Sequence, residues 1–168
     1  MTTAPPAARR VRPGGNPPRD LARRIEDVQQ TLHTQRHLWL STAKGDHSHL
    51  VPLAYVWDGR QLLCATKEGN RSVRNLRASR TAKVAIGTAH DVILIEAAVT
   101  VSDPGTASAE LAAAFDRLPL NPAKVPGTVL LHLRPERISA WRELAEMPGR
   151  EVMRNGSWLT AGGSEPAQ

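Results

Sequence analysis

A single cysteine, Cys64, stands in 168 residues. No disulfide can form within the chain, and a reducing cytoplasm is the expected compartment. Cys64 lies in the apolar run QLLCAT and reads as a small buried hydrophobe, not as a nucleophile. Aromatics are equally scarce: one Phe, one Tyr and four Trp. They do not interleave with basic residues along a strand, which argues against stacking on nucleic-acid bases. No apolar run approaches the roughly eighteen residues that a membrane helix needs. The polar, Pro-rich start lacks the apolar core of a signal peptide. There is no P-loop, no Gly-x-Gly-x-x-Gly opening a helix, no helix-turn-helix pattern, and no nucleophile elbow around Ser41, Ser48 or Ser72. His47 and His49 alternate along a strand and share one side of it, but no Cys or carboxylate stands beside them at ligand spacing, so no metal is expected.

The composition, 40% hydrophobic and 23% charged, is that of one ordinary globular domain. The formal charge of +6 is local. The chain through Arg24 carries six Arg against Asp20, the stretch from Lys67 to Lys83 holds six cations against Glu68, and the remainder is net acidic. Residues 1–18 have no periodic apolar face and read as a disordered arm. The domain is expected over 19–160 and a flexible tail over 161–168. Asp20 can cap a helix with Leu21, Ile25, Val28 and Leu32 on one face and Arg23, Arg24, Glu26 and Asp27 outside.

From His37 the period changes to that of strands. His37 to Thr42, His47 to Trp57 and Gln61 to Thr66 form a meander turned at Ala43 to Asp46 and at Asp58-Gly59. Ala82 to Thr88 and Asp91 to Ser102 form a second hairpin. Ser108 to Leu118 reads as a helix, and Thr128 to Leu133 as a last strong strand, which Ile138 to Trp141, beyond Pro135, either extends or follows. Arg142 to Trp158 reads as a polar amphipathic stretch. The fold class is mainly β with short flanking helices, an antiparallel barrel of six strands.

The chain is organised around KEGNRSVRNLRASRTAK, from Lys67 to Lys83. A strand ends at Thr66, Gly69 and Asn70 turn, and Arg71-Ser72 open a helix with Arg74 and Asn75 one turn on. Free amides at a helix start, a hydroxyl and two guanidinium forks together suit a phosphate. A solvated basic helix is the competing account of Arg71 and Arg74. For Val51 and Pro52 it is strand core with an edge proline.

The order LSTAKGDHSHLVPLAYVWDG, LLCATKEGNRSVRNLRAS, AKVAIGTAHDVILIEAAV resembles the split β-barrel flavin and deazaflavin oxidoreductases, the superfamily around pyridoxamine 5'-phosphate oxidase. The resemblance covers Trp39 to Val101 and extends to Thr128–Leu133. It implies that His49, Leu50, Val51 and Pro52 run along the edge of a tricyclic ring. It places Thr66 and Lys67 near the ribityl chain, and Arg71, Ser72, Arg74 and Asn75 on the phosphate. It implies FMN, or alternatively the deazaflavin coenzyme F-420, and a homodimer with the cofactor in the groove between two barrels. Trp39, Tyr55, Trp57, Trp141 and Trp158 suit a dimer face or a ring-stacking site, with Trp39 and Trp57 read as core because each lies within an apolar strand. The ending AWRELAEMPGREVMRNGSW departs from the C-terminal substrate-phosphate segment of pyridoxamine 5'-phosphate oxidases proper, so vitamin B6 oxidation is not expected. Trp141, Arg142, Arg150 and Arg154 either reach the partner's pocket or brace the dimer.

The implied activity is hydride transfer to or from a small organic substrate, with no catalytic side chain assigned. A flavin- or haem-storage module without turnover is the alternative. A nucleic-acid binder using the arm and basic helix is the weaker one, and its affinity would fall steeply with salt.

Overall fold

The computed structural model describes residues 17–160. The expected arm lies outside them except for Pro17 and Pro18, and the expected tail lies outside them entirely. Helix α1 (Leu21–Thr34) is capped by Asp20, whose carboxylate accepts from the Arg23 amide at 2.8 Å. The strands are β1 (His37–Lys44), β2 (His47–Ala54), β3 (Val56–Trp57), β4 (Leu62–Lys67), β5 (Thr81–Thr88), β6 (Asp91–Ser102), β7 (Thr128–Trp141), β8 (Glu151–Arg154) and β9 (Ser157–Trp158). Helix α2 (Arg71–Ser79) joins β4 to β5, and α3 (Ala109–Phe115) lies between β6 and β7. The six long strands are those the sequence announces. The three short ones, β3, β8 and β9, complete one antiparallel sheet in the order β2-β1-β5-β6-β7-β4-β3, with β8 on β7 and β9 on β8.

The sheet curls on itself, as strong strand twist demands. β2 reaches β4 across the closing gap without a hydrogen-bonded ladder between them, so the barrel is split there. Its inner face is filled by Leu38, Leu40, Leu62, Cys64, Val84, Ile86, Ile95, Leu131, Leu133 and Ile138, with Val28 and Leu32 of α1 and Val73 and Leu76 of α2. A smaller cluster, Val56, Phe115, Leu118 and Leu130, seats α3 on the opposite face of β4 and β7. Burial in the first cluster pushes the Cys64 thiol up, which leaves it protonated and inert.

Three expectations need correction. The strand expected from His47 to Trp57 breaks at Tyr55, whose amide turns to the Arg36 carbonyl at 2.9 Å. β7 runs on past Pro135, so Ile138 to Trp141 extends it. A bulge absorbs Glu136, so that Ala97 pairs with Pro135 and Glu96 with Arg137, and the missing proline N–H falls where the ladder is already interrupted. Arg24 and Asp27 of α1 are buried, not outside, because both belong to a polar network with the C-terminal segment. Within that segment, Glu151 to Trp158 form a hairpin on β7.

Trp39 is the third. Its place within an apolar strand predicts core, yet it is 50% exposed. Period-two alternation puts Leu38 and Leu40 inside and turns Trp39 out. Across the sheet it lines up with Pro52 on one side and Ala85 on the other, and Ala85 in turn pairs with Leu94. Trp57, by contrast, is buried as expected.

Candidate functional site

The residues expected to form a clamp lie where β4 runs out. The Glu68 amide donates to the Gly127 carbonyl at 2.9 Å and Lys67 Nζ to the Pro126 carbonyl at 2.8 Å. These bonds hold the β4–α2 turn against the connection that enters β7. Asn70 occupies the N-cap of α2 in extended backbone but makes no side-chain cap. Its amide Nδ2 instead donates to Thr66 Oγ1 at 2.8 Å, which leaves the first-turn amides without a side-chain acceptor and the positive end of the helix open. No acidic residue stands in that first turn.

The cations beside this opening differ in what they touch. Arg74 folds back to donate to the Gly69 carbonyl at 2.6 Å, bracing the turn. Arg77 is paired with Glu68 at 2.7 Å. Arg71 is exposed, and its guanidinium has no hydrogen-bond or ion-pair partner among the described residues. Ser72 is buried on the face of α2 toward the barrel. Asn75, expected on the phosphate, donates from Nδ2 to Thr42 Oγ1 at 3.1 Å in the interior, so its amide ties the helix to β1. Both partners are 3% exposed. Asn75→Ala leaves the Thr42 hydroxyl buried and unpaired, and a loss of about 1–3 kcal/mol is expected in urea unfolding, while Asn75→Ser retains a donor and loses less.

Thr42 is the residue that sequence reasoning missed, and it joins the two halves of the motif. It pairs directly with His49 in the β1–β2 ladder while holding Asn75 of α2. His49 and Val51 turn toward the inner side, Leu50 and Pro52 toward the outer. Among the described residues β2 is the terminal strand of the sheet and pairs only with β1. One row of its backbone donors and acceptors therefore faces away from any described strand and is open to another hydrogen-bonding partner. Pro52 fits such an edge because it has no N–H to lose.

On the outer face, Trp39, Leu50 and Leu94 are 50%, 60% and 42% exposed. They border a cleft of about 430 Å³ together with Lys83, Arg137 and Arg150. Of the C-terminal residues singled out, Arg142 donates to Asp91 at 2.8 Å and lies 3.4 Å from Asp27, and Arg154 is paired with Glu151. Among the described residues no three His, Cys, Asp or Glu side chains gather as a metal site would require, and no helix is long and apolar enough to cross a membrane.

Residues 25–142 match the family model described as pyridoxamine 5'-phosphate oxidase. Three solved structures share the fold. General stress protein 26 of Bacillus anthracis is 22% identical, with a TM-score of 0.57 over 68% of this chain and 91% of its own. A putative pyridoxamine 5'-phosphate oxidase of Listeria innocua is 15% identical, with a TM-score of 0.59 over 70% and 98%. An F-420 reductase is 19% identical, with a TM-score of 0.54 over 66% and 94%. The curated proteins yield no match. With a family match over most of its length and the split β-barrel that this match implies, the chain belongs to the pyridoxamine 5'-phosphate oxidase family of flavin-type oxidoreductases.

Proposed function

We propose that the chain binds FMN, with the deazaflavin coenzyme F-420 as the alternative ligand of the same place, and transfers hydride to or from a small organic substrate. The observation that carries this reading is the open start of α2: an N-cap whose side chain is turned away, first-turn amides without a side-chain acceptor, and Arg71 unpaired beside them. A terminal phosphate is the ligand group that satisfies all three, since it accepts from amides and from a guanidinium fork together. Arg71 and the first-turn amides hold the phosphate in this reading, with Arg74 keeping the turn in shape and Thr66 fixing the cap. The free backbone edge of β2 from His49 to Pro52 meets the polar edge of the ring.

A bound flavin supplies the hydride acceptor and donor itself. The chain's own work is to grip the anionic end, cover one face of the ring, and limit what approaches the other. No side chain has to act as a general base. F-420 is favoured over FMN only if the ligand's acidic tail finds cations beyond the clamp, and the similarity to an F-420 reductase keeps that option open.

We infer further that two copies associate through the outer face. Pro52, Trp39, Ala85 and Leu94 form an apolar row across four strands, next to Leu50 and flanked by the Lys83–Glu96 ion pair. A row this exposed buries itself well against a two-fold copy. It also lies on the outer side of β2, so a second barrel would flank the proposed ring site.

The absorption spectrum of the purified protein, followed by titration with FMN and with F-420, tests the assignment. Saturable binding of one of them, with bleaching on substrate addition, is expected. Failure to bind either overturns it, and binding without turnover makes the chain a storage module. For the association, Trp39→Asp is expected to give monomers by light scattering and to weaken FMN binding, and a wild type that is already monomeric removes the dimer.

A further inference from the structure

A second cleft lies away from α2, between the turn that joins β3 to β4 and the hairpin of β8 and β9. Its volume is about 650 Å³, within the roughly 300–1,000 Å³ typical of small-molecule sites. Two indoles, Trp57 and Trp158, and the Met153 side chain line it. Trp57 and Met153 are each only 5% exposed, and Trp158 is half-buried against the main core, so the apolar wall is held by packing.

The cleft is also shaped by the backbone. The bulge that absorbs Glu136 turns β7 outward, and the Glu136 carbonyl then accepts from the Gly156 amide at 2.9 Å, fixing the tip of the β8–β9 hairpin. Opposite, the Asp58 carboxylate accepts from the Arg60 and Gln61 amides at 2.8 Å, so the turn that carries Arg60 is a set structure.

Arg60 and Arg134 both line this cleft, and neither guanidinium has a hydrogen-bond or ion-pair partner among the described residues. Elsewhere many arginines are spent on carboxylates, as Arg19, Arg23, Arg77, Arg137 and Arg142 are. The one carboxylate lining the cleft, Glu136, belongs to no ion pair and leaves the lining net positive. The half-buried Trp158 indole supplies flat, polarizable contact area over a wall of buried Trp57 and Met153. Two free guanidinium groups supply planar recognition of an oxyanion.

We propose that this cleft binds a planar aromatic carboxylate, its ring against Trp158 and its carboxylate on Arg60 and Arg134. The site is separate from the α2 clamp and does not depend on which flavin, if any, the clamp holds.

Calorimetric titration with 2-naphthoate, and with 2-naphthamide as its neutral isostere, tests the site. One naphthoate per chain is expected, with the amide binding at least about tenfold more weakly. Arg60→Ala/Arg134→Ala should weaken naphthoate at least about tenfold and leave the amide unchanged, whereas Arg71→Ala should leave naphthoate unchanged. Both arginines of the cleft are exposed, so the double variant is expected to melt with the wild type, and the paired amide titration separates a lost charge contact from a collapsed pocket. Absence of binding, equal affinity for acid and amide, or naphthoate binding indifferent to the double variant would each overturn the proposal.

Discussion

Glu146→Ala is expected to destabilise the protein by about 3–5 kcal/mol, the usual cost of removing one member of a buried ion pair. The carboxylate is 4% exposed at its side chain and faces Arg19, itself 11% exposed. Arg19 donates to it from its backbone amide at 2.9 Å, from Nε at 2.8 Å and from Nη2 at 2.7 Å, and the Arg142 amide adds a fourth donor at 2.8 Å. Without Glu146 the guanidinium keeps Asp27, at 2.9 Å, and the more distant Asp91, at 3.9 Å. At about 2–4 °C per kcal/mol for a chain of this size, the melting temperature should fall by about 6–20 °C. Replacing both partners, Arg19→Met with Glu146→Leu, should recover much of the loss, because what is costly is the unpaired buried charge and not the absence of the pair. A double variant as unstable as Glu146→Ala would show instead that the packing of the Leu144–Glu146 turn matters.

The same contact has a pH signature. The bonds from Arg19 hold the Glu146 carboxyl down at about 2 against an ordinary value of 4.5, with burial opposing them. A carboxyl whose folded value lies below its unfolded one adds stability above the unfolded value and loses it as pH falls through the folded one. The gap in stability between wild type and Glu146→Ala should therefore be full above about pH 4.5 and narrow toward pH 2. A gap that stays constant across that window would mean that the carboxylate's charge is not what stabilises.

Arg71→Ala/Arg74→Ala is expected to weaken FMN binding about 100-fold. A hydrogen bond to a charged group is worth about 1.5–3 kcal/mol, and exposure at this surface argues for the lower end, about tenfold for each. The two do not act alike. Arg71 is free to meet the phosphate, whereas Arg74 already donates to Gly69, so its loss loosens the turn that presents the amides. Arg77→Ala is the control: its guanidinium is paired with Glu68, and a change within about threefold is expected. Since all three side chains are exposed, melting temperatures should stay close to the wild type. Flavin fluorescence quenching measures the affinities, and a double variant that binds FMN as tightly as the wild type would remove the clamp.

The six long strands, the cap at Asp20, and the strand–turn–helix around Gly69 and Asn70 were legible because each is a local pattern: period-two alternation, a turn residue, a change of period. The outward side of Trp39 was legible in principle from that same alternation, since Leu38 and Leu40 must share the other face. The break at Tyr55 and the bulge after Pro135 were not, because each depends on another segment: a carbonyl from Arg36 in one case, the register against Glu96 and Ala97 in the other.

By itself the sequence determined the class of fold, the place of the basic turn and the buried fate of Cys64, since these follow from short-range periodicity, charge and hydrophobicity. Only the tertiary structure decided that Asn75 faces inward to Thr42, that Arg74 and Arg77 have partners while Arg71 has none among the described residues, and that Arg19 finds Glu146 far along the chain. Those outcomes are pairings between distant segments, and a linear pattern does not specify which polar group will meet which until the sheet has closed and fixed the register.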